Sequence, residues 1–164
     1  MTGGAPSGIA SDAAVGLRSL SLGYAAAVDA LDGPGFADLF TPEGELWVPD
    51  PRTGGDPTIC RAGRDRLERI PSGLAGYHAT RHAVWATAYD VEGDTATGVV
   101  DGVAHHLGDD PDPDAGGGPV DLVWYLRYVD EYVRTAGGWR FTRRALHLDH
   151  VERRPLRRLG PGRP

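Results

Sequence analysis

The sequence predicts an α+β fold in which N-terminal helices pack on one face of a curved antiparallel sheet. Apolar residues first recur at spacings of three and four, which is the period of an amphipathic helix. From Thr80 onward, long strand-like segments alternate with tight turns. Helices followed by antiparallel strands are typical of α+β domains. A strongly bent sheet over helices forms a cone with one open end, which is a natural pocket for a small molecule.

The first predicted element is a helix that begins at Ser11 or Asp12, either of which can cap it, and runs to about Leu31. Its apolar stripe comprises Leu17, Leu20, Tyr24, Val28 and Leu31. Residues 1–10 are rich in glycine, proline and serine, so we expect them to be flexible. Residues 11–152 are expected to form a single domain.

Shorter elements follow this helix. The predictions are a second helix from Phe36 to Phe40, a strand from Glu45 to Val48, a loop over 49–60, and a third helix from Arg64 to Leu74 that Pro71 interrupts. Four long strands are predicted at about 80–91, 95–107, 120–135 and 139–151. The acidic, breaker-rich loop 108–119 is expected to be mobile, and residues 153–164 to form a basic tail.

Composition excludes several classes of function. The net charge is −6 and the isoelectric point about 5.4, which disfavours binding to nucleic acid. All 17 basic residues are arginine, so no lysine can form a Schiff base, and no serine lies in a nucleophile elbow. Cys60 is alone, and no apolar run reaches the length of a membrane span. We therefore expect a cytoplasmic protein that uses no cofactor and contacts neither nucleic acid nor membrane.

The first candidate for acid/base chemistry is His82, at the start of the strand 80–91. Its face of the strand also carries Val84, Ala86 and Ala88, and this apolar face should point inward. A buried imidazole needs a partner, and a carboxylate would fix its tautomer and raise its basicity. Asp29 lies at the edge of the helical stripe, where it is either a surface residue or a carboxylate that faces the pocket.

Other polar and aromatic residues are candidates with a structural alternative. His105 and His106 occupy opposite faces of the strand 95–107, so only one can face the pocket, and spacing does not decide which. Tyr24 either polarises a substrate carbonyl or packs in the core. The remaining candidates for substrate contact, which could instead belong to the wall, the core or an exterior ion pair, are Asp101, Trp85, Tyr125 and Arg143.

Several segments together resemble SnoaL-like proteins of the nuclear transport factor 2 superfamily. They are YAAAVDALD at 24–32, FADLFTPEG at 36–44, TRH at 80–82, GDTATG at 93–98 and GWRFTRR at 138–144. The resemblance covers about residues 14–152, and the functional pattern is most similar to scytalone dehydratase and related dehydratases, isomerases and cyclases. It implies an aspartate–histidine pair and a second histidine, at Asp29, His82 and His105. It also implies a homodimer or another homo-oligomer.

Two departures from that pattern argue against scytalone itself as the substrate. Val28 stands where the family carries a tyrosine, and the chain has no asparagine for the family's serine/asparagine pair. The leading hypothesis is a metal-free acid/base enzyme acting on a small hydrophobic carbonyl compound. His82, held by Asp29, would remove a proton, and His105 or a tyrosine would donate one.

Two rival hypotheses belong to other classes of protein. The first is a non-catalytic binding module or partner subunit with the same cone. The second is a metalloprotein, suggested by the six histidines and by the spacing of His78 and His82. That spacing suits a helix, whereas on a strand the two residues lie about 13 Å apart.

Overall fold

The computed structural model describes residues 8–50, 52–110 and 118–157, with side chains from residue 12 onward. The elements in chain order are α1 (Gly8–Asp29), α2 (Gly33–Ala37), β1 (Phe40–Pro49), β2 (Pro57–Ala62), α3 (Arg64–Leu67), a short 3-10 helix (Pro71–Leu74), β3 (Ala79–Glu92), β4 (Thr95–Asp109), β5 (Pro119–Thr135) and β6 (Gly138–Pro155). Predictions for residues 1–7, for the centre of the loop 108–119 and for residues 158–164 lie outside the described residues.

The strands of the described chain form one curved, unclosed sheet, in the order β2-β1-β6-β5-β4-β3. Neighbouring strands are antiparallel except for β1 and β6, which run parallel. Helix α1 packs mainly against β3, on the concave side of the sheet. The predicted α+β class is therefore confirmed, and the concave face under α1 is where a pocket can form.

The apolar stripe of α1 is buried over most of its predicted length. Its buried members, each at most 7% exposed, are Leu17, Leu20, Tyr24 and Val28. Leu31 is 45% exposed, because the helix ends at Asp29 and the backbone of Leu31 turns back with a positive φ of 55°. Asp32 then caps α2, its carboxylate accepting a hydrogen bond from the Gly35 amide at 2.9 Å.

The structure differs from the sequence prediction in the segment between α2 and β3. The predicted loop 49–60 ends in an edge strand, because residues 57–60 belong to β2, which pairs with β1. Three prolines and two glycines at 49–57 obscured it, but Pro57 occupies the first position of an edge strand, where its missing N–H costs no ladder bond. The third helix is also shorter than predicted, with one turn at Arg64–Leu67 and a 3-10 turn beginning at Pro71.

A β-bulge in β3 reverses the predicted orientation of its second half. The pairing with β4 shifts between Val84 and Ala86, which leaves Trp85 as an extra residue without a partner. Up to this point the prediction holds, because His82 lies on the concave side. Beyond it the faces exchange, so Ala86 and Ala88 are exposed and the prediction that they point inward is wrong.

A second register shift, between β5 and β6, decides which arginine enters the core. The shift falls between Phe141 and Arg143, so Arg144 rather than Arg143 shares the buried face with Phe141. Arg144 is fully buried and pairs with Asp130, with Nε 3.0 Å from Oδ1 and Nη2 2.8 Å from Oδ2. Tyr132 donates a further hydrogen bond to Asp130, at 2.7 Å.

Candidate active site

An apolar cavity of about 210 Å³ lies between α1, the 3-10 helix and the concave face of the sheet. Its aliphatic wall includes Val28, Leu46, Val48, Leu74, Leu126 and Leu146. The lining residues with polar atoms are His82, His106, Tyr24, Tyr128 and Trp124. A largely apolar cavity with a few converging polar groups is the usual form of a small-molecule site.

The Asp29 carboxylate and the His82 imidazole are hydrogen-bonded beside this cavity, which His82 lines. Oδ1 of Asp29 lies 2.7 Å from Nδ1 of His82, and both side chains are largely buried. Oδ1 also accepts from the Thr80 hydroxyl at 2.8 Å, and Oδ2 accepts from the His82 backbone amide at 2.9 Å. The sequence-predicted pair is therefore brought together, and three donors hold one carboxylate.

This hydrogen bonding fixes the protonation pattern of the pair. Partial burial raises the pKa of Asp29, but the hydrogen bonds from His82 and Thr80 outweigh it and leave the pKa below its usual value. An ionised carboxylate only accepts hydrogen bonds, so in the neutral imidazole Nδ1 carries the hydrogen. Nε2 of His82 is then left with a free lone pair, as a general base requires.

His106 is the second imidazole of the cavity. It is buried, and its Nδ1 donates to the carbonyl oxygen of Leu122 at 3.1 Å, which again leaves Nε2 as the acceptor nitrogen. Its ring meets that of His82 edge-on at 5.9 Å and packs 4.9 Å from Trp124. Burial lowers the pKa of His106, so this imidazole is neutral near pH 7.

The prediction that His105 faces the pocket is wrong. Its Nδ1 lies 2.7 Å from Oδ2 of Asp121, on the opposite face of the sheet. Side chains alternate along β4, and the inward positions are those of Gly102, Ala104 and His106, all of which are buried. The signal in the sequence was this pair of small residues, because small side chains leave space for the cavity that Ala104 lines.

Four residues predicted to contact substrate lie away from the cavity. Asp101 stands on the outer face, where it is paired in register with Arg127. Tyr125 donates to Glu152 at 3.0 Å, also on the outer face. Trp85 is the exposed bulge residue, at 54% exposure.

Arg143 is the fourth of these residues. Its guanidinium lies over the Trp47 ring at 5.6 Å and is 3.5 Å from Glu131, so it makes an exterior ion pair. The β5/β6 register shift explains this, because it turns Arg143 away from the face of Phe141. Tyr24, by contrast, lines the cavity and is also buried in the core, so both of its predicted roles stay open.

Two aromatic residues of the cavity, Trp124 and Tyr128, were not among the predicted site residues. Both lie on the inward face of β5, and Trp124 pairs in register with Ala104. The alternation of β5 could have identified them once the inward face of β4 was known, since paired residues share a face.

The described residues contain no group of three or more histidine, cysteine, aspartate or glutamate side chains that could hold a metal ion. His78, part of the spacing that suggested a metal, lies 3.6 Å from Asp109, whereas His82 is bound to Asp29. Within residues 8–50, 52–110 and 118–157, no helix has the length and apolarity needed to cross a membrane.

The chain is similar to known proteins in both sequence and fold. The family model of the SnoaL-like domain matches residues 12–145. No curated protein matches the chain. Among solved structures, a variant of Rv3472, a protein of unknown function from Mycobacterium tuberculosis, is 25% identical with a TM-score of 0.71, over 88% of this chain and 76% of that one.

Two further structures share the fold at lower identity. A candidate scytalone dehydratase from Novosphingobium aromaticivorans is 22% identical with a TM-score of 0.69, over 92% of this chain and 94% of that one. A type 2 hexachlorocyclohexane dehydrochlorinase, LinA, is 15% identical with a TM-score of 0.70, over 91% of this chain and 93% of that one. The fold is that of nuclear transport factor 2-like proteins.

Proposed function

The chain belongs to the SnoaL-like domain family, and we propose that it is a metal-free acid/base enzyme, a dehydratase, isomerase or cyclase, acting on a small hydrophobic carbonyl compound. The observation that carries this proposal is the 2.7 Å contact of Asp29 with His82 beside an apolar cavity. The names of two similar structures, a dehydratase and a dehydrochlorinase, both denote eliminations. A homo-oligomer remains the expected assembly.

The first step is removal of a proton from carbon. Nε2 of His82 takes the proton from the carbon beside the substrate carbonyl, and the electron pair moves onto the carbonyl oxygen. Asp29 keeps the ring oriented and stabilises the imidazolium that forms. A positioned base of this kind accelerates reactions by typically about 10²–10⁴-fold. Because both Asp29 oxygens already accept hydrogen bonds, Asp29 acts through His82.

The second step depends on the reaction that the enzyme carries out. In a dehydration, the His82 imidazolium returns its proton to the leaving hydroxyl, which departs as water while the carbon–carbon double bond forms. His106 replaces His105 as the second histidine of the proposal. The Nδ1 hydrogen of His106 is engaged by the Leu122 carbonyl, so its Nε2 is free to accept a hydrogen bond from the leaving hydroxyl. That hydrogen bond would orient the hydroxyl toward His82.

Proton abstraction can be tested before the natural substrate is known. In D₂O, the wild type should accelerate exchange of the hydrogens beside the carbonyl of 2-tetralone, followed by NMR. His82→Ala should slow enzymatic exchange by about 100-fold or more. The matched control is His105→Ala, which removes an imidazole with the same 2.7 Å carboxylate contact from the other face and should leave exchange unchanged.

Exchange that is equally fast in wild type and His82→Ala would contradict the proposed base. The binding-module hypothesis gives a different result in the same experiment. It predicts that 2-tetralone binds to the wild type while its hydrogens exchange no faster than in buffer.

A further inference from the structure

The end of the cavity remote from His82 is formed by two phenols. Tyr24 of α1 and Tyr128 of β5 both line it, both are buried, and their rings meet edge-on at 5.5 Å. Tyr24 lies five residues before Asp29 on the same helix, which is about 7.5 Å along the helix axis. The cavity therefore has an imidazole end and a phenol end, separated by aliphatic wall.

The two hydroxyls keep their protons. Burial raises the pKa of Tyr24 to about 12 and also raises the pKa of Tyr128. The two hydroxyls lie close enough to affect each other's pKa, and a contact between them can engage only one of their two hydrogens. Neither hydroxyl is hydrogen-bonded to any other described residue, so the second hydrogen is available to a ligand in the cavity.

A buried cation lies behind both rings. The Arg144 guanidinium carbon is 4.3 Å from the Tyr24 ring centroid and 4.0 Å from that of Tyr128. Its positive charge lowers the pKa of both hydroxyls, which opposes part of the larger effect of burial. Asp130 neutralises Arg144, so the cavity end offers a hydroxyl donor without a net charge. Such an end suits an uncharged oxygen better than a carboxylate.

We propose that Tyr24, beside Tyr128, donates a hydrogen bond to an oxygen of the substrate at the cavity end remote from His82. The substrate class is then an uncharged ring compound with a phenolic or carbonyl oxygen at that edge. Which carbon of the substrate reacts depends on the proposed function of His82. The hydrogen bond from Tyr24 to the substrate oxygen does not depend on it. The cavity volume of about 210 Å³ corresponds to about seven water molecules, which limits the ligand to one or two fused rings.

The test uses 2-naphthol and 2-methylnaphthalene, two ligands of similar shape that differ in the hydrogen-bonding group. Calorimetric titration of the wild type should show about fivefold tighter binding of 2-naphthol, the worth of one neutral hydrogen bond. Tyr24→Phe should abolish this preference and leave the affinity for 2-methylnaphthalene unchanged, because the ring over Arg144 is retained. Tyr128→Phe, which leaves the Tyr24 hydroxyl in place, should retain a preference for 2-naphthol.

Tyr132→Phe is the matched control. It removes a buried phenolic hydroxyl from the same Arg144–Asp130 network, but Tyr132 does not line this cavity, so the preference for 2-naphthol should persist. A wild type without preference, or a Tyr24→Phe protein that keeps it, would overturn the proposal. Asp29→Asn should retain the preference while losing exchange of 2-tetralone, so failure of this inference and failure of the proposed function are distinguishable.

Discussion

Replacing Arg144 by leucine should destabilise the protein by about 3–5 kcal/mol, because it leaves the Asp130 carboxylate buried without its counter-ion. Asp130 is fully buried and accepts two hydrogen bonds from Arg144, at 3.0 and 2.8 Å, and one from Tyr132, at 2.7 Å. Only the bond from Tyr132 survives the substitution. At roughly 2–4 °C per kcal/mol for a chain of this size, Tm should fall by about 6–20 °C.

Urea unfolding of a double-mutant cycle measures this effect. Asp130→Leu should cost a comparable amount, since it leaves the guanidinium unpaired. The double variant, Arg144→Leu with Asp130→Leu, should be more stable than either single variant, because both buried charges are gone. A loss below about 1 kcal/mol for Arg144→Leu, or a double variant no better than the singles, would refute this reasoning.

Two further predictions concern titration and close packing. Wild-type stability should fall as the pH drops below about 6.5, the unperturbed pKa of histidine. The pKa of His106 is lowered in the folded state, so the unfolded chain takes up a proton on this imidazole first. His106→Phe should lack that part of the loss when urea midpoints are compared across pH. Gly102→Ala should cost about 1–3 kcal/mol in thermal unfolding, since its Cβ would lie 2.7 Å from the Ala83 carbonyl oxygen. Gly76→Ala, with no atom within 4 Å, should stay within about 0.5 kcal/mol, and equal losses for the two variants would contradict the packing described.

The long elements could be predicted from sequence because their periodic signals extend over many residues. The strand predicted at 95–107 is observed at 95–109, and that at 120–135 is observed at 119–135. The stripe of α1 from Leu17 to Val28 is likewise buried. The edge strand β2 could not be recognised in the same way, since its six residues follow a run of prolines and glycines and its alternation is short.

The orientation of individual side chains was harder to predict, because it depends on partner strands. The bulge at Trp85 and the shift near Thr142 each insert one residue relative to a neighbouring strand, and neither leaves a pattern in its own strand that sequence can show. Each exchanges the two faces beyond it, which is why Ala86 was placed on the wrong side and why Arg143 was left open between substrate contact and an exterior ion pair. Asp29 and His82 were unaffected, since both precede the bulge.

The number of residues that precede the two adjacent histidines in β4 decides which imidazole lines the cavity. His105 and His106 point to opposite sides of the sheet, and each binds a different partner. Insertion of a single residue within β4 before them would place His105 beneath the helix and expel His106, while the sheet itself could still pair. An insertion at the Gly93–Asp94 turn would only lengthen the hairpin loop. Length variation is thus compatible with the site in the turn and incompatible with it in the strand.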